Sequence, residues 1–505
     1  MYILAIDQGT TSSRVVLYNH TLDVIHMSQK EVRQIYPEKS WLEHDAEEIY
    51  LDIISLIQTC LATASNKLNI HLDRLLPEID GIGITNQRET TILWDKTTSK
   101  PIHNAIVWQD RRTTDFCNNL KANPLHEHQI QEKTGLLIDP YFSASKIDWL
   151  LQKYQLHHNP NILFGTIDSY LIWRLTNGQN HVTDVTNASR TQLFNINTLT
   201  WDNELLELFN IPKHILPKVQ QSALLGATFG SVDKNIIGKS IPIFGVAGDQ
   251  QAAAIGQLCT EAKDSKITYG TGCFVLENTG AVKVTSKNKL ITTIAYQINN
   301  QISYALEGSI FVAGAAVQWL RDALRLITKA EDTETIAQSL YDTNGVYLVP
   351  AFTGLGAPYW DPQARGAILG LTRDTGFEHI IRAALESVGY QTRDLLSAFE
   401  NDYGLPTKIR VDGGMTANNW FLQFLTDITR ITIEKPQDPE TTMRGAALLA
   451  GLGAGIYNDL NSLPSDFKAH STFQPLIAEN YSNQLYMGWL DAISRVQTKK
   501  QPLPV

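Results

Sequence analysis

The chain has 505 residues, which is too long for one hydrophobic core, so we expect two large domains. Hydrophobic residues make up 43% of it and charged residues 19%, which is typical of a soluble globular protein and not of a disordered one. The net charge of −10 argues against a nucleic-acid-binding surface, which would need a basic stripe.

The first predicted element is a β-hairpin. Two short apolar runs, residues 2–6 and 14–18, flank the turn D-Q-G-T-T at 7–11.

The start of the chain has no basic region and soon reaches Asp7, so it is not a secretory signal. The cysteines form no C-x-x-C pair and are few for so long a chain, which indicates a reducing compartment. We therefore expect a cytoplasmic protein without membrane insertion.

Helices and strands alternate along the rest of the first half. Asp45, with Glu48 three residues later, indicates a helix start. The apolar residues that follow fall on one helical face, namely Ile49, Ile53, Leu56, Ile57, Cys60 and Leu61. Residues 79–84, 104–108 and 241–248 are predicted strands. Such alternation is typical of an α/β protein.

The second half repeats the opening pattern of the first. Residues 265–274 again give a strand, a Gly-Thr turn and a strand, and Thr271 lies about half a chain beyond Thr10. This repeat implies a duplicated domain with a nucleotide between its halves. We predict domains at 1–248 and 249–505. Further elements are predicted as helices at 309–326 and 377–401 and a strand at 408–412, whereas the last fifty residues are polar and irregular.

Hydroxyl and glycine residues at a strand turn suit phosphate, because backbone N–H groups can converge on an anion there. Asp7 ends a strand, where it could hold Mg²⁺ through water. Arg14 could cover a phosphate oxygen. Taken alone, the motif is equally compatible with a plain hairpin turn. The similar turns at 270–272 and 412–414 favour phosphate, and neither G-x-x-x-x-G-K-[ST] nor G-x-G-x-x-G is present.

Several longer motifs follow one another along nearly the whole chain. They are D-Q-G-T-T-S-S-R at 7–14, T-N-Q-R-E-T-T at 85–91, W-Q-D-R-R-T at 108–113, D-P-Y-F-S at 139–143, G-D-Q-Q-A-A at 248–253, Y-G-T-G-C-F at 269–274, F-T-G-L-G-A-P-Y-W-D-P at 352–362 and V-D-G-G at 411–414. Together they resemble the glycerol-phosphorylating branch of the FGGY family of carbohydrate kinases. The resemblance implies an α/β fold of two actin-like, ribonuclease-H-like domains with the active site in the cleft between them.

The same resemblance implies that the chain phosphorylates glycerol to sn-glycerol 3-phosphate with ATP and Mg²⁺. Residues expected to contact the phosphates of ATP are Thr10, Thr11, Ser12, Arg14 and Thr271. Those expected on the adenosine side are Gly314, Gln318, Gly414 and Asn418. Close helix packing is the alternative for Gly314, and an exposed face is the alternative for Gln318.

The polyol would be held by paired donors and acceptors between apolar walls. Arg88 and Glu89 together can grip vicinal hydroxyls, although an exposed ion pair is the alternative for such a dipeptide. Tyr141 would add a hydroxyl contact. Trp108 and Phe274 would pack against the carbon chain, with ordinary core packing as their alternative.

Asp249 is the predicted catalytic base. It follows a predicted strand and begins a helix-like segment, so the helix dipole would favour its ionised form, with simple N-capping as the alternative. An aspartate is a weak base at neutral pH, which phosphoryl transfer tolerates because positioning dominates. Asp249 would also share the Mg²⁺ with Asp7, and Gln250 would hold a second hydroxyl.

Two other functions compete with this interpretation. A sister kinase for xylulose, ribulose or gluconate would share the nucleotide half of the site, and an actin-like assembly or chaperone ATPase would lack the polyol half. By resemblance we expect a homodimer or homotetramer. Ser240 and Tyr481 replace an arginine and a glutamate that some relatives use to bind fructose 1,6-bisphosphate and a sugar-transport regulator, which leaves both forms of inhibition open.

Overall fold

The structure, a computed structural model, describes residues 1–359, 361, 363–438, 440–460 and 469–498. Trp360 and Pro362 of the predicted loop motif lie outside the described residues. The chain forms two compact units. Unit 1 comprises Met1–Leu258, Thr292–Tyr304 and residues 440–460, and unit 2 comprises Cys259–Ile291 and residues 305–438 and 469–498.

Strands and helices alternate along the whole chain. The strands are β1 (Tyr2–Gln8), β2 (Ser12–Asn19), β3 (Val24–Glu31), β4 (Glu43–His44), β5 (Ile79–Asn86), β6 (Ile92–Asp95), β7 (Ala105–Ile106), β8 (Ile162–Gly165), β9 (Val182–Asp184), β10 (Phe194–Asn195), β11 (Thr200–Trp201), β12 (Lys218–Gln220), β13 (Gly230–Ser231), β14 (Pro242–Gly248), β15 (Ser265–Tyr269), β16 (Cys273–Gly280), β17 (Ile291–Ile298), β18 (Gln301–Ile310), β19 (Tyr347–Val349), β20 (Ala367–Leu369), β21 (Lys408–Asp412), β22 (Thr432–Pro436) and β23 (Ala469–Phe473). The α-helices are α1 (Ala46–Leu68), α2 (Leu72–Leu75), α3 (Thr114–Lys121), α4 (Pro124–Thr134), α5 (Ser143–Lys153), α6 (Ile167–Leu175), α7 (Val185–Ala188), α8 (Asn203–Leu208), α9 (Lys234–Ile237), α10 (Asp249–Gly256), α11 (Gly314–Asp322), α12 (Asp332–Ser339), α13 (Phe377–Asp402), α14 (Asn419–Thr429), α15 (Thr441–Gly453) and α16 (Glu479–Val496).

Unit 1 is built on a six-stranded sheet with the order β13-β14-β5-β1-β2-β3. The predicted hairpin is confirmed, since β1 and β2 pair antiparallel, while β1, β5 and β14 run parallel. Helix α1 begins where predicted, because the Asp45 side chain accepts from the N–H groups of Glu47 and Glu48. Its predicted apolar face is buried in the core of this unit.

Unit 2 repeats the same plan. Its strands follow the order β18-β16-β15-β21-β22-β23, in which β15 and β16 form an antiparallel hairpin and β15, β21 and β22 run parallel. Residues 292–304, which cover most of β17 and the start of β18, group with unit 1 instead. The predicted internal repeat is therefore present in the sheet order as well as in the sequence.

Three predicted elements differ from the observed ones. The strand expected at 104–108 covers only Ala105–Ile106, and the helix expected at 309–326 is confined to Gly314–Asp322, because residues 309–310 still belong to β18. The C-terminal residues are not simply irregular, since α16 packs its apolar side chains into a core. Within unit 2, Tyr486 and Trp489 of α16 donate hydrogen bonds of 2.6 and 2.8 Å to the buried carboxylate of Asp394 on α13.

None of the described helices combines the length and the apolar character that crossing a bilayer requires.

Helices α10 and α15 of unit 1 cross at glycines. A Cβ atom on Gly445 would lie 1.8 Å from the carbonyl oxygen of Ala252, and a Cβ atom on Gly256 would lie 1.9 Å from that of Thr441. Neither helix can come this close with a larger residue at its crossing point. Because α10 begins with Asp249, this crossing fixes the helix that carries the predicted catalytic base.

We expect Gly445→Ala to lower the free energy of unfolding by about 1–3 kcal/mol, because the added methyl group overpacks the crossing. The gain in helix propensity, about 1 kcal/mol, is too small to offset the displacement of α10. Urea unfolding followed by circular dichroism measures the change. The control is Thr442→Ala, at a half-buried position about one helical turn before Gly445 on α15. It should change the free energy of unfolding by less than about 0.5 kcal/mol. A Gly445→Ala midpoint equal to that of the control would contradict this packing.

Candidate active site

The turn between β1 and β2 holds the residues predicted to bind phosphate in unit 1. The N–H group of Gly9 closes the turn by donating to the carbonyl oxygen of Ser12 at 2.9 Å. The Thr10 hydroxyl oxygen accepts from the indole N–H of Trp108 at 2.9 Å, and Thr11 is exposed. The turn therefore presents two hydroxyl groups beside an aromatic side chain from the predicted polyol site.

Asp7 and Arg14 lie opposite each other on β1 and β2. A guanidinium nitrogen of Arg14 is 2.6 Å from a carboxylate oxygen of Glu440. Burial raises the pKa of Asp7 to about 7; Asp249 and Glu440 also raise this pKa, and Arg14 lowers it. The carboxylates of Asp7, Asp249 and Glu440 are therefore close enough in unit 1 to affect one another's charge.

The pair Arg88 and Glu89 is buried, with 3% and 1% of each residue exposed, so the alternative of an exposed ion pair is wrong. The Nε atom of Arg88 is 3.2 Å from Asp249 Oδ1. The Nη2 atom of Arg88 donates to the Tyr141 hydroxyl at 3.5 Å, and its Nη1 atom donates to the Gln251 side chain at 3.3 Å. Unit 1 thus brings the predicted polyol residues Arg88 and Tyr141 together with the predicted base.

Glu89 adopts a left-handed backbone conformation with a φ of 60°, which is uncommon for a residue other than glycine and concentrates at functional sites. Its carboxylate accepts a hydrogen bond of 2.5 Å from Nε of Arg190, whose side chain is fully buried. Sequence reasoning missed Arg190, because the segment N-A-S-R at 187–190 matches no motif that marks a buried cation. Arg190 neutralises Glu89 and fixes its orientation.

Trp108 and Tyr141 form an aromatic wall. Their rings meet edge to face with centroids 5.4 Å apart. The segment that carries Tyr141 is anchored by the buried ammonium group of Lys146, which donates to the carbonyl oxygens of Pro140, Tyr141 and Phe142. Trp108 is only partly buried and donates its indole N–H to Thr10, so it does not lie in the core of the unit.

Asp249 is the first residue of α10, and the N-cap position is taken by Gly248, so the N-capping alternative is wrong. The Asp249 carboxylate accepts from the N–H group of Gln250 at 2.7 Å, and 30% of its side chain is exposed. Both the helix N-terminus and the guanidinium of Arg88 favour the ionised carboxylate. Gln250 follows directly and is partly buried.

In unit 2 the turn between β15 and β16 packs against the start of α11. The carbonyl oxygen of Thr271 accepts from the N–H groups of Ala313 and Ala315, each at 3.0 Å. A Cβ atom on Gly314 would lie 2.6 Å from the carbonyl oxygen of Gly270, so close packing does require glycine there. The side chains of Thr271 and, on α11, Gln318 are exposed, and that of Phe274 on β16 is partly buried.

The other two predicted adenosine residues of unit 2 follow β21. Gly414 is exposed at the start of a short 3₁₀-helix, Gly414–Ala417. Asn418 caps α14 by accepting from the N–H group of Phe421 at 2.8 Å. The Met415 side chain lies 3.7 Å from where a Cβ atom of Gly314 would stand, so Gly314 and this turn are neighbours.

Within the described residues, no group of three or more histidine, cysteine, aspartate and glutamate side chains is arranged to hold a metal ion. Asp7 and Asp249 alone would suit an ion that keeps most of its ligands as water and phosphate, which is how Mg²⁺ is usually bound.

Two family models match the chain. The N-terminal domain of the FGGY family of carbohydrate kinases matches residues 2–256, and the C-terminal domain of the same family matches residues 265–454.

Relatives match over the full length. The glycerol kinase of Ectopseudomonas mendocina is 51% identical over 99% of both chains, and glycerol kinase 1 of Pseudomonas aeruginosa is 52% identical over 99% of both. Among solved structures, the glycerol kinase of Plasmodium falciparum with ADP is 38% identical over 99% of both chains, with a TM-score of 0.91. A xylulose kinase of Lactobacillus acidophilus shares the fold at 23% identity, with a TM-score of 0.85 over 98% of both chains. The predicted two-domain α/β architecture is confirmed.

The raised pKa of Asp7 predicts a pH dependence of stability. Between the usual aspartate pKa of about 4 and the folded value of about 7, the folded protein holds a proton that the unfolded chain releases. Stability should therefore fall as the pH rises through this range, by up to about 1.4 kcal/mol per pH unit from this group. We expect Asp7→Asn to remove that slope in urea unfolding without divalent cations. Asp115→Asn, at an exposed position of α3, is the control and should retain it. Equal slopes for both variants would contradict the assignment.

Proposed function

The chain belongs to the FGGY family of carbohydrate kinases, and on that premise we propose that it transfers the γ-phosphate of ATP to glycerol, forming sn-glycerol 3-phosphate. The full-length relatives of about half-identical sequence, both named glycerol kinase, support glycerol as the acceptor. The observation that carries the proposal is the contact of buried Arg88 with both Asp249 and Tyr141. It places a polyol-binding donor beside a carboxylate that can accept a proton.

In this proposal the two buried residues Arg88 and Glu89 bind vicinal hydroxyl groups as donor and acceptor. Tyr141 and Gln250 contribute further hydrogen bonds, and Trp108 and Phe274 pack against the carbon chain. A three-carbon polyol has few atoms to bind, so the fixed geometry of these side chains supplies most of the selectivity. Arg190 and Lys146 support that geometry through Glu89 and the segment at 140–142.

Asp249 acts as the general base. It accepts the proton of the terminal hydroxyl while that oxygen forms a bond to the γ-phosphorus and the bond between the γ-phosphorus and the bridging oxygen of ADP breaks. The helix N-terminus and Arg88 hold the carboxylate ionised and oriented. Because the transition state is loose, orientation of the hydroxyl contributes more than the basicity of the carboxylate.

Nucleotide binding is the role that we propose for two further sets of residues. We assign Thr10, Thr11, Ser12, Arg14 and Thr271 to the phosphates, and Gly314, Gln318, Gly414 and Asn418 to adenosine. The matching hairpin turns, β1–β2 and β15–β16, and the neighbouring positions of Gly314 and the 414–417 turn support this assignment. Mg²⁺ would be held through water by Asp7 and Asp249, and when bound it supplies positive charge to the phosphates.

The remaining assignments extend the proposal to the whole protein. The division into domains at 1–248 and 249–505 stays a prediction. We also infer a cytoplasmic enzyme, from the cysteine usage, and a homodimer or homotetramer, from the family resemblance.

Asp249→Asn tests the base directly. The amide keeps the size and the hydrogen-bonding oxygen but cannot accept the proton, so we expect kcat to fall by about 10²–10⁴-fold while the KM values for ATP and glycerol stay within a few-fold. A coupled assay for ADP release measures both. Asp233→Asn, which alters the capping aspartate of the short helix α9, is the matched control and should keep normal turnover. Near-normal turnover of Asp249→Asn would remove Asp249 from the mechanism.

A substrate panel tests the acceptor. With purified protein and MgATP, we expect kcat/KM for glycerol to exceed that for xylulose, ribulose and gluconate by at least about 10²-fold, because longer chains meet the Trp108–Tyr141 wall. A larger kcat/KM for one of the sugars would favour the sister-kinase function. ATP hydrolysis that no polyol stimulates would favour an assembly or chaperone ATPase.

A further inference from the structure

We propose that four buried or half-buried side chains, Gln8, Gln34, His44 and Gln87, form an amide network that orients the peptide groups of the phosphate turn. This proposal rests on the proposed function and assigns these four as positioning residues. They act through the backbone of residues 9–11 and make no contact with substrate themselves.

The network holds the carbonyl oxygens of the turn. The oxygen of Gly9 accepts from the side-chain amides of Gln8 at 2.8 Å and of Gln87 at 3.2 Å. The oxygen of Thr10 accepts from the side-chain amide of Gln34 at 2.9 Å. The two consecutive carbonyl groups of Gly9 and Thr10 are therefore fixed by side chains. Gln8 belongs to β1, which leads into the turn, whereas Gln34 and Gln87 come from other parts of the chain.

Fixing a carbonyl group also fixes the next N–H group. The peptide bonds after Gly9 and Thr10 are trans, so the N–H groups of Thr10 and Thr11 point away from the oxygens that the network holds. In the part of the chain that the structure describes, neither N–H group has a hydrogen-bond partner. Two adjacent free N–H groups beside the Thr10 and Thr11 hydroxyls form an anion-binding nest.

The Gln87 amide nitrogen lies within 3.3 Å of three acceptors, so its two hydrogens are shared among Gly9, Gln8 and His44. Gln87 donates to the Gln8 side-chain oxygen at 3.0 Å and contacts His44 Nδ1 at 3.3 Å, while its own oxygen accepts from Thr90 at 2.8 Å. The Nε2 atom of His44 lies 3.0 Å from the side-chain oxygen of Gln34, which can only accept. His44 must therefore carry its proton on Nε2, which leaves Nδ1 to accept from Gln87.

Burial supports this neutral imidazole. His44 is fully buried, and burial lowers its pKa to about 4, so it stays uncharged at neutral pH. Gln8 and Gln87 are also fully buried, whereas Gln34 is half-buried at the edge of the network. Each amide is held by the next, so removing one member loosens the others and the turn that they hold.

Gln34 gives the cleanest test because its side-chain amide donates to the Thr10 carbonyl oxygen and, within the described residues, makes no hydrogen bond to a polyol residue. Gln34→Met keeps the length of the side chain and removes the donor. We expect the KM for MgATP to rise about 5–10-fold, the loss of one net hydrogen bond, while the KM for glycerol stays within twofold. Gln34→Glu keeps the acceptor for His44 but places a carboxylate oxygen against the carbonyl oxygen of Thr10. It should therefore weaken ATP binding at least as much as Gln34→Met does.

Gln58→Met is the matched control, since Gln58 on α1 also donates to a backbone carbonyl, that of Ile236 at 3.1 Å. It should leave both KM values unchanged. Calorimetric titration with a magnesium complex of a non-hydrolysable ATP analogue reports the nucleotide affinity independently of turnover. KM values for MgATP within twofold of the unmodified protein in both Gln34 variants would overturn the proposal, as would equal losses for ATP and glycerol. If the unmodified protein did not phosphorylate glycerol, the proposed function would fail, and the titration would still decide the role of the network.

Discussion

The structure of unit 1 depends on pairing buried charges. Arg88, Glu89 and Arg190 are almost completely removed from water, and each such charge costs several kcal/mol unless it has a partner. Glu89 is neutralised by Arg190, which leaves the guanidinium of Arg88 directed to Asp249 and Tyr141. The site therefore has fixed charges and fixed hydrogen bonds before a substrate arrives. Preorganisation of this kind lowers the barrier to phosphoryl transfer, because a loose transition state depends mainly on positioning and electrostatic stabilisation.

Much of the fold could be predicted from short patterns. The Gly-Thr turns at 9–11 and 270–272 mark hairpins because glycine and threonine between short apolar runs favour a tight turn, and both hairpins are present. The apolar face of α1 follows from its helical spacing. The α16 helix was missed although Tyr486, Trp489, Leu490 and Ile493 have helical spacing, because a run of polar residues at its start, N-Y-S-N-Q at 480–484, hides where the apolar face begins.

The candidate site was predictable only where its residues belong to motifs. Arg88, Tyr141 and Asp249 stand in such motifs, and the structure brings them into contact. Arg190 and Gln34 could not be found in this way. Their roles arise from contacts with residues about a hundred and about twenty-five positions distant, and no local pattern records such contacts. A single sequence therefore identifies the groups with direct chemical roles better than those that hold them in place.

Both units are completed by late segments of the chain. Helix α15 packs against β1, β5 and β14 of unit 1, and α16 supplies the donors that satisfy the buried Asp394 of unit 2. A growing chain on the ribosome therefore cannot close either core until almost all of its residues have emerged. Nascent chains will expose apolar sheet surface of unit 1 until α15 has been synthesised, and termination before α16 will leave the buried Asp394 of unit 2 without its donors from Tyr486 and Trp489.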